Sequence, residues 1–114
     1  MLPDTPQTQG FLSRKRLALL PPHAGVVNVG RGSAVDWEAL TAALEDGCLG
    51  GAALDVFETE PLPAESRLWT LENAVVTPHV GGGGPQFYRK ATKLLAHNAE
   101  RFARGKPLEG LLRI

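Results

Sequence analysis

The sequence Val26-Val27-Asn28-Val29-Gly30-Arg31-Gly32 predicts a β-strand that ends in a tight turn. Its valines suit a short buried β-strand. The two glycines allow the backbone to bend sharply and a ligand to approach closely. Arg31 therefore follows the carboxyl end of a strand, and in an open parallel sheet ligands bind at that edge. The alternative is an ordinary surface arginine in a strand-to-helix turn.

Two further stretches of the chain have the same pattern, an apolar strand followed by a turn. The small apolar run Gly50–Phe57 predicts a second buried strand, and Ala74–Thr77, closed by Pro78 and His79, predicts a third. These strands are apolar throughout, without polar residues at alternate positions. Because strands and helices also alternate, the pattern predicts an α/β fold with a parallel sheet covered on both faces.

Local signals place three helices between and after these strands. The first is predicted from Ser13, as its N-cap, to Leu20, and the second begins after the N-cap Asp36 and ends at Gly47. A long helix from Gln86 to about Arg104 follows Pro85, which suits the first helical position.

Composition excludes several classes of function. The chain has 114 residues, 43% of them hydrophobic, and its 12 basic residues balance 12 acidic ones. This balance argues against a nucleic-acid or acidic-lipid partner held by bulk electrostatics. No apolar run approaches the roughly 20 residues of a membrane span. With Cys48 as the only cysteine, no internal disulfide can form, and we expect a cytoplasmic protein.

Ionisable residues follow each predicted strand. Arg31 follows the first strand, Asp55 and Glu60 the second, and His79 the third. Taken singly, each has a structural explanation, such as a capped turn, a solvated carboxylate or a satisfied core histidine. Together they supply a carboxylate clamp, a histidine that can donate or accept a proton and a carboxylate that orients it. This set suits oxidation of a 2-hydroxy acid when a hydride acceptor is present. The scattered histidines and the single cysteine predict no metal site.

Four segments stand out: Leu2-Pro3-Asp4-Thr5-Pro6-Gln7-Thr8, Asn28-Val29-Gly30-Arg31-Gly32, Asp55-Val56-Phe57-Glu58-Thr59-Glu60-Pro61 and Thr77-Pro78-His79. They resemble segments of the NAD(P)-dependent D-isomer-specific 2-hydroxyacid dehydrogenases. The run Glu60-Pro61-Leu62-Pro63-Ala64-Glu65-Ser66, with Leu68-Trp69 after it, is most similar to the glyoxylate/hydroxypyruvate reductase subgroup of that family. The resemblance implies catalytic roles for Arg31 on the substrate carboxylate, His79 as acid and base, and Glu60 as the partner of His79. It also implies that Asp55 positions the nicotinamide amide. The cofactor would be NAD or NADP, bound by Leu2, Pro3, Thr8, Asn28, Val29, Gly30, Arg31, Asp55, His79, Gly81 and Gly82.

The dinucleotide fingerprint G-x-G-x-x-G of such enzymes is absent. Gly30-x-Gly32 is followed by Val35 where the third glycine is required, and the run Gly81–Gly84 continues into Pro85. We therefore expect residues 1–84 to form the second half of a Rossmann-type doubly wound parallel sheet. Residues 85–114 would be a C-terminal helix and tail returning toward a substrate domain absent from this chain. The residue that selects NAD or NADP would lie outside the sequence.

Half of a doubly wound sheet exposes surfaces that the other half would cover. We therefore expect a homo-oligomer, most simply a dimer, with little or no activity when isolated. The alternative from another functional class is a truncated, non-catalytic remnant or interaction module that keeps half of the fold.

Overall fold

The computed structural model describes residues 2–111, which divide after Gly81 into two compact units. Residues 1 and 112–114, the ends of the two predicted domains, lie outside the described residues. The first unit contains a three-stranded parallel sheet with the strands in chain order. Its elements are α1 (Arg14–Leu17), β1 (Gly25–Asn28), α2 (Trp37–Glu45), β2 (Gly51–Leu54) and β3 (Ala74–Val76), with 3-10 turns at Gly32–Ala34 and Arg67–Thr70. The predicted α/β class and parallel strands are confirmed.

One face of the sheet carries the core. Val26 of β1 is in register with Ala52 of β2, and β2 lies between the other two strands. Val26, Ala52 and Leu54 are buried in one cluster with Leu40 and Leu44 of α2. This packing fixes the three strands side by side, so that their carboxyl ends lie along one edge.

The opposite face of the sheet is exposed in part, contrary to the sequence prediction. Val27, Ala53 and Val75 form a row across the three strands, and the Val27 and Val75 side chains are 72% and 63% exposed. The prediction that both faces are covered is therefore wrong for this row. An apolar strand indicates only that both faces can be buried, and the clustered helices of this unit pack on the Val26 side.

Capping chemistry explains where the helices begin and end. The Asp36 carboxylate accepts a hydrogen bond of 3.0 Å from the Ala39 amide, and Gly47 adopts a φ of +67° just after α2, as predicted. The first helix is shorter than predicted, because it ends at Leu17 and not at Leu20. Leu20 precedes Pro21, and a residue before proline disfavours helical backbone.

The second unit is built on α3 (Pro85–Ala103), which begins at Pro85 as predicted. Gly105 has a φ of +63° and follows the end of this helix. The tail turns back along α3, where the Asn98 side chain exchanges two hydrogen bonds of 2.9 Å with the Glu109 backbone. No residue of α3 is buried. Across residues 2–111, no helix has the length and apolarity needed to cross a membrane.

Candidate functional site

The turn after β1 is held from inside by Asn28. The Asn28 side chain is buried; its amide nitrogen donates to the Arg31 carbonyl, and its oxygen accepts from the Gly30 amide, both at 3.1 Å. Arg31 itself is exposed, and one guanidinium nitrogen donates to the Gly30 carbonyl at 2.8 Å. The remaining donors of its planar fork are available to a ligand. The predicted arginine therefore lies at the edge of the sheet on a rigid turn.

Gly32 has a different role from the one predicted. A Cβ at this position would lie 1.9 Å from the Phe57 carbonyl oxygen and 2.5 Å from the Glu58 amide nitrogen. The glycine is therefore needed for close approach of the chain's own backbone and not for approach of a ligand. The turn after β1 and the segment after β2 can meet only because this side chain is absent.

Glu60 and His79 form the central pair of the site. His79 Nδ1 lies 2.7 Å from Glu60 Oε2, and Glu60 Oε1 accepts a 2.9 Å hydrogen bond from the Phe57 amide. The bond with His79, followed by the bond from Phe57, holds the pKa of Glu60 below its ordinary value, against the opposing effect of burial. The charges of His79 and Arg31 lower it further, with Arg31 contributing least. Because an ionised carboxylate only accepts hydrogen bonds, Nδ1 must donate, and His79 Nε2 takes no part in this bond.

Asp55 lies directly after β2 and is only 4% exposed. Its carboxylate accepts hydrogen bonds from the Thr77 hydroxyl at 2.5 Å, the Val80 amide at 3.0 Å and the Gly81 amide at 2.8 Å. The bonds from Thr77 and Gly81 are the main causes that hold the pKa of Asp55 below its ordinary value. The carboxylate thus fastens the turn that carries His79, a contact the sequence did not reveal.

Two clefts at the end of β1 are large enough to receive part of a ligand. The open one, of about 440 Å³, is lined by Leu2, Pro3, Asp4, Gly30 and Arg31. A second, of about 200 Å³, has a mostly apolar wall that includes Leu2, Phe11, Val27 and Val29. Leu2, Pro3, Val29 and Gly30 therefore line clefts beside Arg31. The Thr8 hydroxyl bonds instead within its own loop, to Thr5 and Pro3.

A separate apolar cavity of about 130 Å³ adjoins the Glu60–His79 pair. Phe57, Trp69 and Val76 contribute to its wall, and the Trp69 indole nitrogen is fixed by a 2.9 Å hydrogen bond to the Pro63 carbonyl. Apolar walls therefore border the Glu60–His79 pair on one side.

The structure brings the residues singled out from the sequence together in two groups, one beside Arg31 and one around His79. Glu60 contacts His79, and Asp55 contacts Gly81 and reaches the turn of His79. Gly82 belongs to the second unit. Thr77 was not among the site residues predicted from the sequence. Its position at the end of a strand, two residues before His79, was the feature that could have indicated it.

Residues 1–81 match the family model of the D-isomer specific 2-hydroxyacid dehydrogenase NAD-binding domain. The chain belongs to this family. It is 51% identical over 80 residues to a glyoxylate/hydroxypyruvate reductase B of Yersinia pestis, an alignment that covers 70% of this chain and 24% of the relative. A protein of the same name from Enterobacter agglomerans has the same identity over 80 residues and is covered to 25% of its length. The chain thus spans about a quarter of these curated relatives.

Solved structures of the family share the fold. A D-isomer specific 2-hydroxyacid dehydrogenase from Xanthobacter autotrophicus Py2, in complex with NADPH and MES, superposes with a TM-score of 0.88 at 43% identity, covering 99% of this chain and 46% of that one. An NADPH-dependent glyoxylate/hydroxypyruvate reductase from Sinorhizobium meliloti, in complex with NADP and sulfate, gives 0.87 at 38% identity, covering 98% and 36%. The family and the Rossmann-type fold predicted from the sequence are confirmed.

Proposed function

We propose that this chain is the catalytic part of an NAD(P)-dependent oxidoreductase that reduces small 2-keto acids such as glyoxylate or hydroxypyruvate, or oxidises the corresponding 2-hydroxy acids. The observation that carries the proposal is the 2.7 Å contact of His79 Nδ1 with Glu60, at the ligand-binding edge of a sheet of this family. The curated relatives named for this reaction support the same substrate class.

His79 acts as the acid in reduction and as the base in oxidation. Glu60 accepts from Nδ1, which fixes the orientation of the ring, and Nε2 then donates a proton to the substrate carbonyl oxygen. In the reverse direction the neutral Nε2 removes the hydroxyl proton. General acid–base catalysis of this kind contributes about 10²- to 10⁴-fold to a rate.

Arg31 binds the substrate carboxylate. Its guanidinium is exposed at the end of β1, and the planar fork suits bidentate binding of a carboxylate. The Asn28 bonds and the Gly30 carbonyl hold the turn and the side chain, so little freedom is lost when the anion binds. The positive charge of Arg31 also polarises the substrate carbonyl next to that carboxylate.

The clefts beside Arg31 suit the nicotinamide half of a cofactor, because they lie at the carboxyl end of a parallel strand and have apolar side chains in their walls. When bound, NAD(P)H supplies the hydride. Within this proposal, the cofactor-binding residues are Leu2, Pro3, Thr8, Asn28, Val29, Gly30, Arg31, Asp55, His79, Gly81 and Gly82. Residues 1–84 form the cofactor-domain half, and residues 85–114 return toward a substrate domain.

The proposal includes a homo-oligomer, most simply a cytoplasmic dimer. The exposed row Val27 and Val75 and the unpaired outer edge of β1 in the described sheet are the surfaces that support association. Sedimentation velocity over a range of concentrations tests this point. A monomer at every concentration would contradict it.

A titration of the purified chain with NADPH and with NADH tests cofactor binding, followed by energy transfer from Trp37 and Trp69. Saturable transfer in the wild-type chain would support cofactor binding in the clefts. If a 2-keto acid alters this transfer in the wild-type chain but not in Arg31→Gln, the result would support the assignment of Arg31 to the substrate carboxylate. Absence of transfer with both nucleotides would favour the non-catalytic alternative for the isolated chain.

A further inference from the structure

The turn Thr77–Gly81 places the reactive histidine in an unusual backbone conformation. His79 has a φ of +54°, in the left-handed region that residues with a side chain rarely adopt. Such a conformation persists only where surrounding contacts over-determine it. In the His79 backbone, the amide donates to the Thr77 carbonyl at 3.1 Å, which closes the turn on one side.

The Asp55 carboxylate supplies the other contacts. It accepts from the Val80 and Gly81 amides, the two residues that follow His79, and from the Thr77 hydroxyl, two residues before it. Its three donors thus flank the histidine on both sides. A Cβ on Gly81 would lie 2.8 Å from Asp55 Oδ2, so the carboxylate occupies the space where a side chain would otherwise be.

Thr77 connects this arrangement to the sheet. Its amide donates to the Leu54 carbonyl at 2.9 Å, which continues the β2–β3 pairing by one residue. Its hydroxyl donates to Asp55 Oδ1, the same oxygen that accepts from Val80. Since the backbone of Thr77 is fixed by the sheet, its hydroxyl holds the Asp55 carboxylate in a position where the Val80 and Gly81 amides can donate to it.

We infer that Thr77 is a positioning residue, which acts through Asp55 to hold the His79 turn in its left-handed conformation and the imidazole against Glu60. The inference rests on the proposed function only for the proton transfer assigned to the His79 imidazole. The positioning of His79 by Thr77 and Asp55 does not depend on that function. The direction of the Asp55 pKa agrees, since the Thr77 hydroxyl is the largest of the causes that lower it.

A matched pair of variants separates this role from a merely structural one. Thr77→Val keeps the shape and the strand preference of threonine but removes the hydroxyl, whereas Thr77→Ser keeps the hydroxyl and removes the methyl group. The readouts on the full, isotope-labelled chain are amide hydrogen exchange at Val80 and Gly81, the titration of the Asp55 carboxyl carbon, and the ¹⁵N shift of His79 Nδ1.

In Thr77→Val we expect exchange at the Val80 and Gly81 amides to rise about tenfold or more, because a hydrogen bond to a charged group is lost. The Asp55 titration should move to higher pH, and His79 Nδ1 should lose the shift that marks its bond to Glu60. Thr77→Ser should retain all three wild-type values. Unchanged exchange in Thr77→Val, or equal damage in Thr77→Ser, would overturn the inference.

If Thr77→Val does not fold, Gly81→Ala tests the same contacts from the other side, with Gly84→Ala as its control, since a Cβ on Gly84 has no atom within 4 Å. We expect only Gly81→Ala to raise the pH of the Asp55 titration, and no change in it would count against the inference. Because these readouts need no turnover, they can be obtained even if an intact enzyme that carries this segment fails to reduce glyoxylate. That combination would refute the proposed function and leave the positioning role intact.

Discussion

Gly32→Ala tests how the two halves of the site are joined. The added Cβ would lie 1.9 Å from the Phe57 carbonyl oxygen and 2.0 Å from its carbon, whereas real Cβ contacts are at least about 3.0 Å. The backbones must therefore separate by about 1.1 Å. Neither side can yield through a flexible side chain, because the obstructing atoms all belong to the main chain.

This separation lowers the free energy of unfolding because it disturbs contacts that both segments make. The Gly32 carbonyl accepts the Trp37 indole N–H at 2.8 Å, and the Trp37 and Phe57 rings pack with centroids 5.5 Å apart. Overpacking a core costs about 1–3 kcal/mol, and the rigid backbone here puts the cost at about 3 kcal/mol or more. Movement of Phe57 also disturbs the hydrogen bond that its backbone amide donates to Glu60. The contact between Glu60 and His79 should therefore weaken as well.

Urea unfolding followed by the fluorescence of Trp37 and Trp69 and by far-UV circular dichroism measures the free energy of unfolding. Gly25→Ala is the matched control, since its Cβ would lie at an ordinary 3.7 Å from the Gly51 carbonyl oxygen. This control should be neutral or up to about 1 kcal/mol more stable, because alanine restricts the unfolded chain. A Gly32→Ala protein as stable as Gly25→Ala would refute the packing argument.

Three further predictions concern the substrate clamp, a helix cap and acid stability. In an intact enzyme that carries this segment, Arg31→Gln should raise KM with some loss of kcat, and unchanged steady-state kinetics would remove Arg31 from the site. Asp36→Ala should lower the free energy of unfolding by about 1 kcal/mol through loss of the α2 cap, whereas Asp36→Ser should cost less; equal stability of all three proteins in urea would contradict the cap. The pKa values of Asp55 and Glu60 are lower in the folded chain than their ordinary values, so their contribution to stability is complete at neutral pH and should be lost as pH falls below about 4.5 and through the folded values. Thermal unfolding between pH 3 and 7 checks this slope, which Glu60→Gln should flatten; an identical slope in that variant would contradict the assignment to Glu60.

Local chemistry made much of the fold predictable. Asp36 and Gly47 mark the ends of α2 because capping and positive φ depend on a few neighbouring residues. The strands were predictable from their apolar runs, and their carboxyl-edge placement brought Glu60 and His79 together. These features depend on residue type and chain order alone.

The contacts that escaped prediction join residues distant in sequence. The Thr77 and Gly81 bonds to Asp55 span 22 and 26 residues, and the constraint on Gly32 comes from Phe57. Such contacts depend on how the turns after different strands meet, which no local pattern encodes. The exposure of Val27 was missed for a related reason, since an apolar side chain does not reveal whether a neighbour covers it.

In the proposed function, the Glu60–His79 pair performs proton transfer during reduction of a 2-keto acid. The most direct test of this role replaces the matched 80-residue segment of the Yersinia pestis reductase with the corresponding segment of this chain and measures glyoxylate-dependent oxidation of NADPH, with and without His79→Gln. We predict turnover in the chimera and a loss of about 10²-fold or more in kcat with His79→Gln, while cofactor binding is retained. A folded, cofactor-binding chimera without turnover, or one whose kcat is unaffected by His79→Gln, would contradict the claim.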